Sequence, residues 1–166
     1  MSQFIEMFGD QNTNDKHWMQ SYVKDEFNLN MGKTPSRNNP IYWGLDGHKW
    51  ITIADMASYH KYTQDTTERI TDVAIKVTNM KKVPKNTIIM SFKLSIGRTA
   101  ITSEDVYTNE AIIAFNNNDT SRFDIDFLYF LISHKNWLSS AKQAVKGLTL
   151  NKETIGNSIT DAFSSF

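Results

Sequence analysis

Cysteine is absent from the 166 residues. That excludes disulfides, thiolate metal sites and a cysteine nucleophile. It is compatible with a reducing compartment, and the cytoplasm is the expected location. No apolar run is long enough to span a bilayer. The opening MSQFIEMFGD lacks the basic flank and apolar core of a signal peptide, so no membrane partner is expected. Net charge is missing too, because 18 Lys and Arg balance 18 Asp and Glu. A chain so balanced does not grip DNA tightly by phosphate neutralisation alone. What is present is ordinary: 40% apolar and 22% charged residues, in a length that suits one domain with a real core.

The neutral total hides a partition. From Val73 to Ser103 there is no acid, but there are Lys76, Lys81, Lys82, Lys85, Lys93 and Arg98. From Thr102 to His134 the sign reverses, and Glu104, Asp105, Glu110, Asp119, Asp124 and Asp126 face only Arg122. A basic segment beside an acidic one suggests either a binding face or a solvated surface.

The chain is organised around Met31 to Met56. Gly32, Thr34-Pro35, Ser36 and the following Asn residues read as a loop. Its donors, Lys33, Thr34, Ser36 and Arg37, are expected on a mobile segment. Tyr42-Trp43 follows with two large rings. After a turn at Gly44 and Gly47 comes Trp50 to Ile53, a β-branched run expected to be a strand. Donor-rich loops tied to a strand by aromatics are how a binding surface is commonly mounted.

Elsewhere, Met1, Phe4, Ile5 and Phe8 share one helical face, with Gly9 at the C′ position. Lys24 to Leu29 is a strand candidate, and residues 55 to 67 read as loop. Thr67 or Thr71 could cap a helix over residues 68 to 78. Thr87 to Phe92 and Arg98 to Thr102 form a hairpin bent at Gly97, with Lys93 and Arg98 near its tip. Ala111 to Phe115 is a further strand. Asp124 should cap a helix over Ile125 to Leu138, whose apolar residues wrap nearly all round it, so it is expected to be buried. Leu148 to Leu150 reads as a short strand and Asn151 as a cap. Residues 156 to 166 show no pattern. The fold expected is mixed α/β, of the α+β type: a twisted, mainly antiparallel sheet packed by the 125–138 helix, with long loops.

Catalytic and metal patterns find no support. The four His (17, 48, 60 and 134) are scattered, with no pair at metal-ligand spacing. No Ser sits in a Gly-x-Ser-x-Gly elbow. Gly32-Lys33-Thr34 ends like a phosphate loop, but Phe27 occupies the place of the earlier glycine. Asn39-Pro40-Ile41-Tyr42 resembles the Asn-Pro-Pro-Tyr site of adenine methyltransferases. The second proline is missing, and no Gly-rich cofactor loop follows a strand.

The order of pieces resembles a known family. F-x-E-M-F-G-D (Phe4 to Asp10), a linker to Trp18, G-K-T-P-S-R, Tyr42-Trp43 and W-I-T-I-x-D look like the opening of a target recognition domain. PKNTIIMSFKLSIGRTAI, VYTNEAIIAF, DIDFLYFLIS and AVKGLTLNKETI resemble its later hairpin, strand, helix and closing segment. Such domains belong to the DNA specificity subunit of type I restriction-modification systems.

The resemblance implies a division into the end of a spacer helix (1–9), a recognition domain (17–155) and a C-terminal tail (156–166). The chain then resembles a half subunit, a truncation or an excised domain, and a homodimer is conceivable. It implies recognition of duplex DNA without catalysis in this chain. Methyltransferase and motor subunits would be partners, and S-adenosylmethionine, ATP and Mg²⁺ would be used by them. Expected DNA contacts are Lys33, Thr34, Ser36 and Arg37 first, Lys93 and Arg98 second, then Lys146 and Thr149. The alternative is a non-catalytic protein-interaction fragment of a specificity subunit.

Overall fold

The structure, a computed structural model, describes residues 20–117, 124–138 and 150–161, together with Glu6. Among them the strands form three sheets. The largest runs β2 (Phe27–Met31), β8 (Ile112–Asn117), β5 (Ile88–Ser91), β6 (Thr99–Ile101), and every neighbouring pair is antiparallel. A second sheet orders β4 (Glu68–Ile70), β3 (Trp43–Ile51) and β7 (Tyr107–Thr108); β3 pairs antiparallel with β4 and parallel with β7. The third is β1 (Gln20–Tyr22) with β9 (Ile159–Asp161).

Strand alternation splits the core in two. In β5, Ile88 and Met90 face one side and Ile89 the other, and in β8 Ile113 and Phe115 oppose Ile112 and Ala114. The first side packs on Phe27, Leu29 and helix α4 (Ile125–His134) through Leu128, Leu131 and Ile132. The second packs on Ile51, Met56, Val83 and Val106. A sheet covered on both faces explains why β5 reads as an unbroken apolar run in the sequence. A third cluster, Trp50, Ile70, Ala74, Met80 and Tyr107, lies under the second sheet and carries the half-buried Tyr42 and Trp43.

The mixed α/β expectation is borne out, and so is the hairpin of β5 and β6. Several local expectations are corrected. Residues 23–26 form a helical turn, α1 (Val23–Glu26), before the strand β2 starts at Phe27. The strand expected over 50–53 runs instead from Trp43 to Ile51. It stops because Thr52 caps a helix, α2 (Ile53–Ser58), that falls partly in the segment read as loop. There Thr52 Oγ1 accepts from the Asp55 amide at 3.2 Å, and Asp55 Oδ2 accepts from the Thr52 amide at 2.9 Å, a complete capping box.

The helix expected over 68–78 gives its first three residues to β4. Thr71 then caps α3 (Asp72–Thr78). Helix α4 is capped by Asp124 as expected, but it ends at His134 and buries one side only, with Asp126 and His134 exposed. It lies on the sheet rather than at the centre, because Ile125, Phe127 and Tyr129 rim the contact instead of sealing a second one. Asn151 caps α5 (Lys152–Gly156), and the unpatterned tail supplies β9. The helix expected near Met1 to Phe8 and the strand over 148–150 lie outside the described residues, save for Glu6 and Leu150.

Candidate nucleic-acid interface

The loop after β2 is pinned at its root. Gly32 donates to Ile112 O at 3.2 Å, and the Lys33 amide donates to Thr108 O at 3.0 Å. A Cβ on Gly32 would lie 2.0 Å from Thr108 O and 2.4 Å from Asn109 O, so only glycine lets the chain pass this close to β7. Pro35 is buried, while Ser36, Arg37 and Asn38 are exposed. The indole of Trp50 donates to Lys33 O at 3.0 Å, and that of Trp43 donates to Ser36 O at 3.2 Å. The two indoles meet edge to face, with centroids 5.1 Å apart. The loop expected to be mobile is therefore clamped from below by two tryptophans.

Three of its four donors are engaged within the chain. Lys33 Nζ donates to Thr78 O at 2.7 Å and Asn79 O at 3.3 Å, at the C-terminal end of α3, where a cation meets the negative end of the helix dipole. The Thr34 hydroxyl donates to Glu110. Arg37 pairs with Glu68 and lies over both indoles, 4.4 Å from the Trp43 centroid and 5.0 Å from that of Trp50. Its side chain keeps 52% of its exposure, so the guanidinium is held in place yet open to solvent.

Lys93, from the hairpin tip, extends over the Phe92 ring at 5.6 Å. It shares a field with the loop. The Thr34 hydroxyl, against some opposition from burial, holds the Glu110 carboxyl below the usual range, with help from its own amide, Lys93 and Arg37. The structure joins Thr34 to Glu110, and the Phe92 amide donates to Ala111 O at 3.0 Å, so the root of the hairpin tip that carries Lys93 lies beside the loop. Arg98 turns toward α2, where Nη1 donates to Ala57 O at 3.4 Å. Lys146 and Thr149 lie outside the described residues.

The partition of charge folds back on itself. Lys82 of the basic segment pairs with Asp105 of the acidic one at 2.7 Å. Lys49 pairs with Glu104 at 2.6 Å and Lys61 with Asp126 at 2.8 Å. Among the described residues, no group of three or more His, Asp or Glu side chains could hold a metal ion. No helix among them is long and apolar enough to cross a membrane.

Sequence reasoning named the loop donors but missed the carboxylates beside them, Glu68 and Glu110. It read a turn at Gly44 and Gly47 where β3 instead runs on through a bulge, in which both Trp43 and His48 pair with Ile70. Leu45 at its tip is 93% exposed, and His48 Nε2 meets Asp72 Oδ1 at 2.7 Å beside it. The two glycines flanking Leu45-Asp46 were the available signal. Gly47 fits because a Cβ there would meet Ile70 O at 2.4 Å.

Comparison with known proteins decides the family. The sequence model of the type I restriction modification DNA specificity domain matches residues 15–158. The chain belongs to this family. This specificity domain is 30% identical over 135 residues to the type I restriction enzyme MjaIX specificity subunit of Methanocaldococcus jannaschii, covering 81% of this chain and 31% of that protein. It is 28% identical over 139 residues to the HindI specificity subunit of Haemophilus influenzae, covering 82% of this chain and 29% of that one. The specificity domain therefore spans about a third of the length of the curated relatives it matches. Its fold is similar to that of the HsdS subunit from Thermoanaerobacter tengcongensis, with a TM-score of 0.64 at 13% identity over 87% of this chain and 33% of that one. It also resembles the S subunit of a type I system from M. genitalium, with a TM-score of 0.54 at 14% identity over 89% of this chain and 34% of that one.

Proposed function

We propose that this domain reads the sequence of duplex DNA within the specificity subunit of a type I restriction-modification complex. In that role it directs methylation and cleavage carried out by partner subunits and performs no chemistry itself. Membership of the specificity-domain family supports the role. The observation that carries the reading to particular residues is Arg37. Its guanidinium is planar, fixed over two indoles by Glu68, and half open to solvent. An ordered guanidinium loses little freedom on binding and presents a fork that matches the O6 and N7 of guanine.

Thr34, Ser36 and Lys93 stand around it as donors to phosphate or base edges, and Lys33 steadies α3 behind them. Arg98 serves phosphate from the other side of the hairpin. Lys146 and Thr149 are proposed as further contacts on family resemblance alone. Glu68, paired with Arg37, and Glu110, beside Thr34, offset the cations of this face, so the phosphate affinity of the whole assembly comes mainly from other parts of it. Methyltransferase and motor subunits are the proposed partners, with S-adenosylmethionine, ATP and Mg²⁺ used there, in the cytoplasm. Pairing of two copies as a half subunit belongs to the same proposal.

The test is fluorescence anisotropy of the chain against a random-sequence duplex pool at low salt, with Arg37→Ala, Arg37→Lys and Arg98→Ala alongside. Binding that Arg37→Ala weakens and Arg37→Lys fails to restore supports the reading. Absence of binding, even with the methyltransferase subunit added, overturns it and favours the interaction-fragment alternative.

A further inference from the structure

The tip of the β5–β6 hairpin places a leucine where the fold gives no reason for one. Leu94 sits at φ 61°, in the left-handed region where a bulky side chain crowds the backbone. Glycine or asparagine would sit there more easily. The conformation is enforced by the turn: Ser95 donates to Lys93 O at 2.8 Å, Gly97 donates to Ser91 O at 2.9 Å, and the Ser91 hydroxyl donates to Ser95 O. Yet the leucine gains nothing from packing, since it is 95% exposed. A residue held in a costly backbone state, with its whole apolar side chain in water, finds its use outside the chain.

The surroundings say what kind of partner that is. Lys93 precedes Leu94, and Arg98, exposed although its Nη1 reaches Ala57 O at 3.4 Å, follows the turn, so each strand of the hairpin carries an exposed cation. Ile96, 37% exposed, is the second apolar residue of the tip. The Phe92 amide donates to Ala111 O at 3.0 Å, next to Glu110, which takes the Thr34 hydroxyl, so the root of the tip lies beside the Gly32 loop. An apolar point between two cations suits a DNA groove, where the cations take phosphates and the point reaches base edges. In the major groove the apolar group on offer is the thymine methyl. Leu45, almost as exposed, sits in a bulge without a left-handed residue and carries no comparable signal.

We propose that Leu94 is a specificity-determining contact that packs on a thymine methyl in the major groove, while Lys93 and Arg98 hold the flanking phosphates. This rests on the DNA-recognition reading above. The experiment begins with selection of a preferred duplex by the wild-type chain from a random pool. Each thymine of the selected site is then replaced by uracil, which removes the methyl and nothing else. At one position the wild type is expected to lose about fourfold in affinity, the worth of one buried methyl. Leu94→Ala should bind the thymine site about as weakly as the wild type binds the uracil site, and should not distinguish the two.

Leu94→Gly serves as the fold control. It should lose the same affinity, with a thermal midpoint equal to or above that of the wild type, because glycine relieves the strain. If the wild type selects a sequence but no uracil substitution couples to Leu94, the proposal fails while the recognition reading stands. A lower midpoint for Leu94→Gly also overturns it, since Leu94 would then serve the fold. If the wild type selects no sequence, the recognition reading fails and the proposal with it.

Discussion

Replacing Asp55 with Asn should destabilise the domain far beyond what the exchange of one atom suggests. Asp55 is buried and its carboxylate accepts four hydrogen bonds. Oδ2 takes the Thr52 amide at 2.9 Å and the Thr52 hydroxyl at 2.8 Å. Oδ1 takes the Thr67 amide at 3.0 Å and the Thr67 hydroxyl at 2.7 Å. One side chain thus caps α2 and ties it to the segment leading into β4. An Asn keeps one acceptor oxygen and points its NH₂ at the other pair. The hydroxyl of that pair can rotate to accept, but the amide N–H cannot.

One buried backbone donor then loses its partner, a cost of about 1 to 3 kcal/mol, and the surviving bonds lose their charge assistance. The sum is about 3 kcal/mol, or roughly 6 to 12 °C in the midpoint of a domain this size. Burial works to raise the Asp55 carboxyl, but the Thr67 hydroxyl, the Thr52 and Thr67 amides and the Thr52 hydroxyl outweigh it and hold it below its usual 3.8. A depressed carboxyl contributes stability that is complete above the unfolded value and is lost as pH falls through the folded one. The gap between wild type and Asp55→Asn should therefore be full at pH 7 and narrow below about pH 4. Thermal unfolding by circular dichroism across that range reads both. A loss at pH 7 of less than about 1 kcal/mol, or a gap that does not narrow in acid, would refute the reasoning.

Gly32→Ala places a methyl against the Thr108 and Asn109 carbonyls and should cost about 3 kcal/mol or more in urea unfolding; a loss under about 1 kcal/mol would mean that the loop shifts freely. Lys33→Ala should lower stability by about 0.5 to 1 kcal/mol, because it uncaps α3, yet leave the slope of log affinity against log salt nearly unchanged. Lys93→Ala should instead reduce that slope by about one while leaving the urea midpoint in place.

How much of this was legible depends on how far apart the partners are in sequence. The β5–β6 hairpin and the cap at Asp124 showed because each is written within a few residues: an apolar run, a Gly97 bend, an Asp before a helical period. Helix α2 escaped although Thr52-x-x-Asp55 is a capping signature, because Ile53 and Met56 alone make too short a period and the following residues are polar. The site was half legible. Lys33, Thr34 and Arg37 were picked out by type and loop context. That they are engaged by Thr78, Glu110 and Glu68 was not, because those partners lie 45, 76 and 31 residues away. Leu94 was invisible, since a hairpin tip reads the same in sequence whether or not its leucine is strained.

The measurement that tests the central claim most directly is selection of duplexes from a random pool by this chain at low salt, followed by competition of the winning duplex against scrambled DNA. The account predicts one short enriched motif, binding at least tenfold tighter than the scrambled duplex, with that advantage reduced by Arg37→Ala. Equal binding of all duplexes, or an advantage untouched by Arg37→Ala, would contradict it.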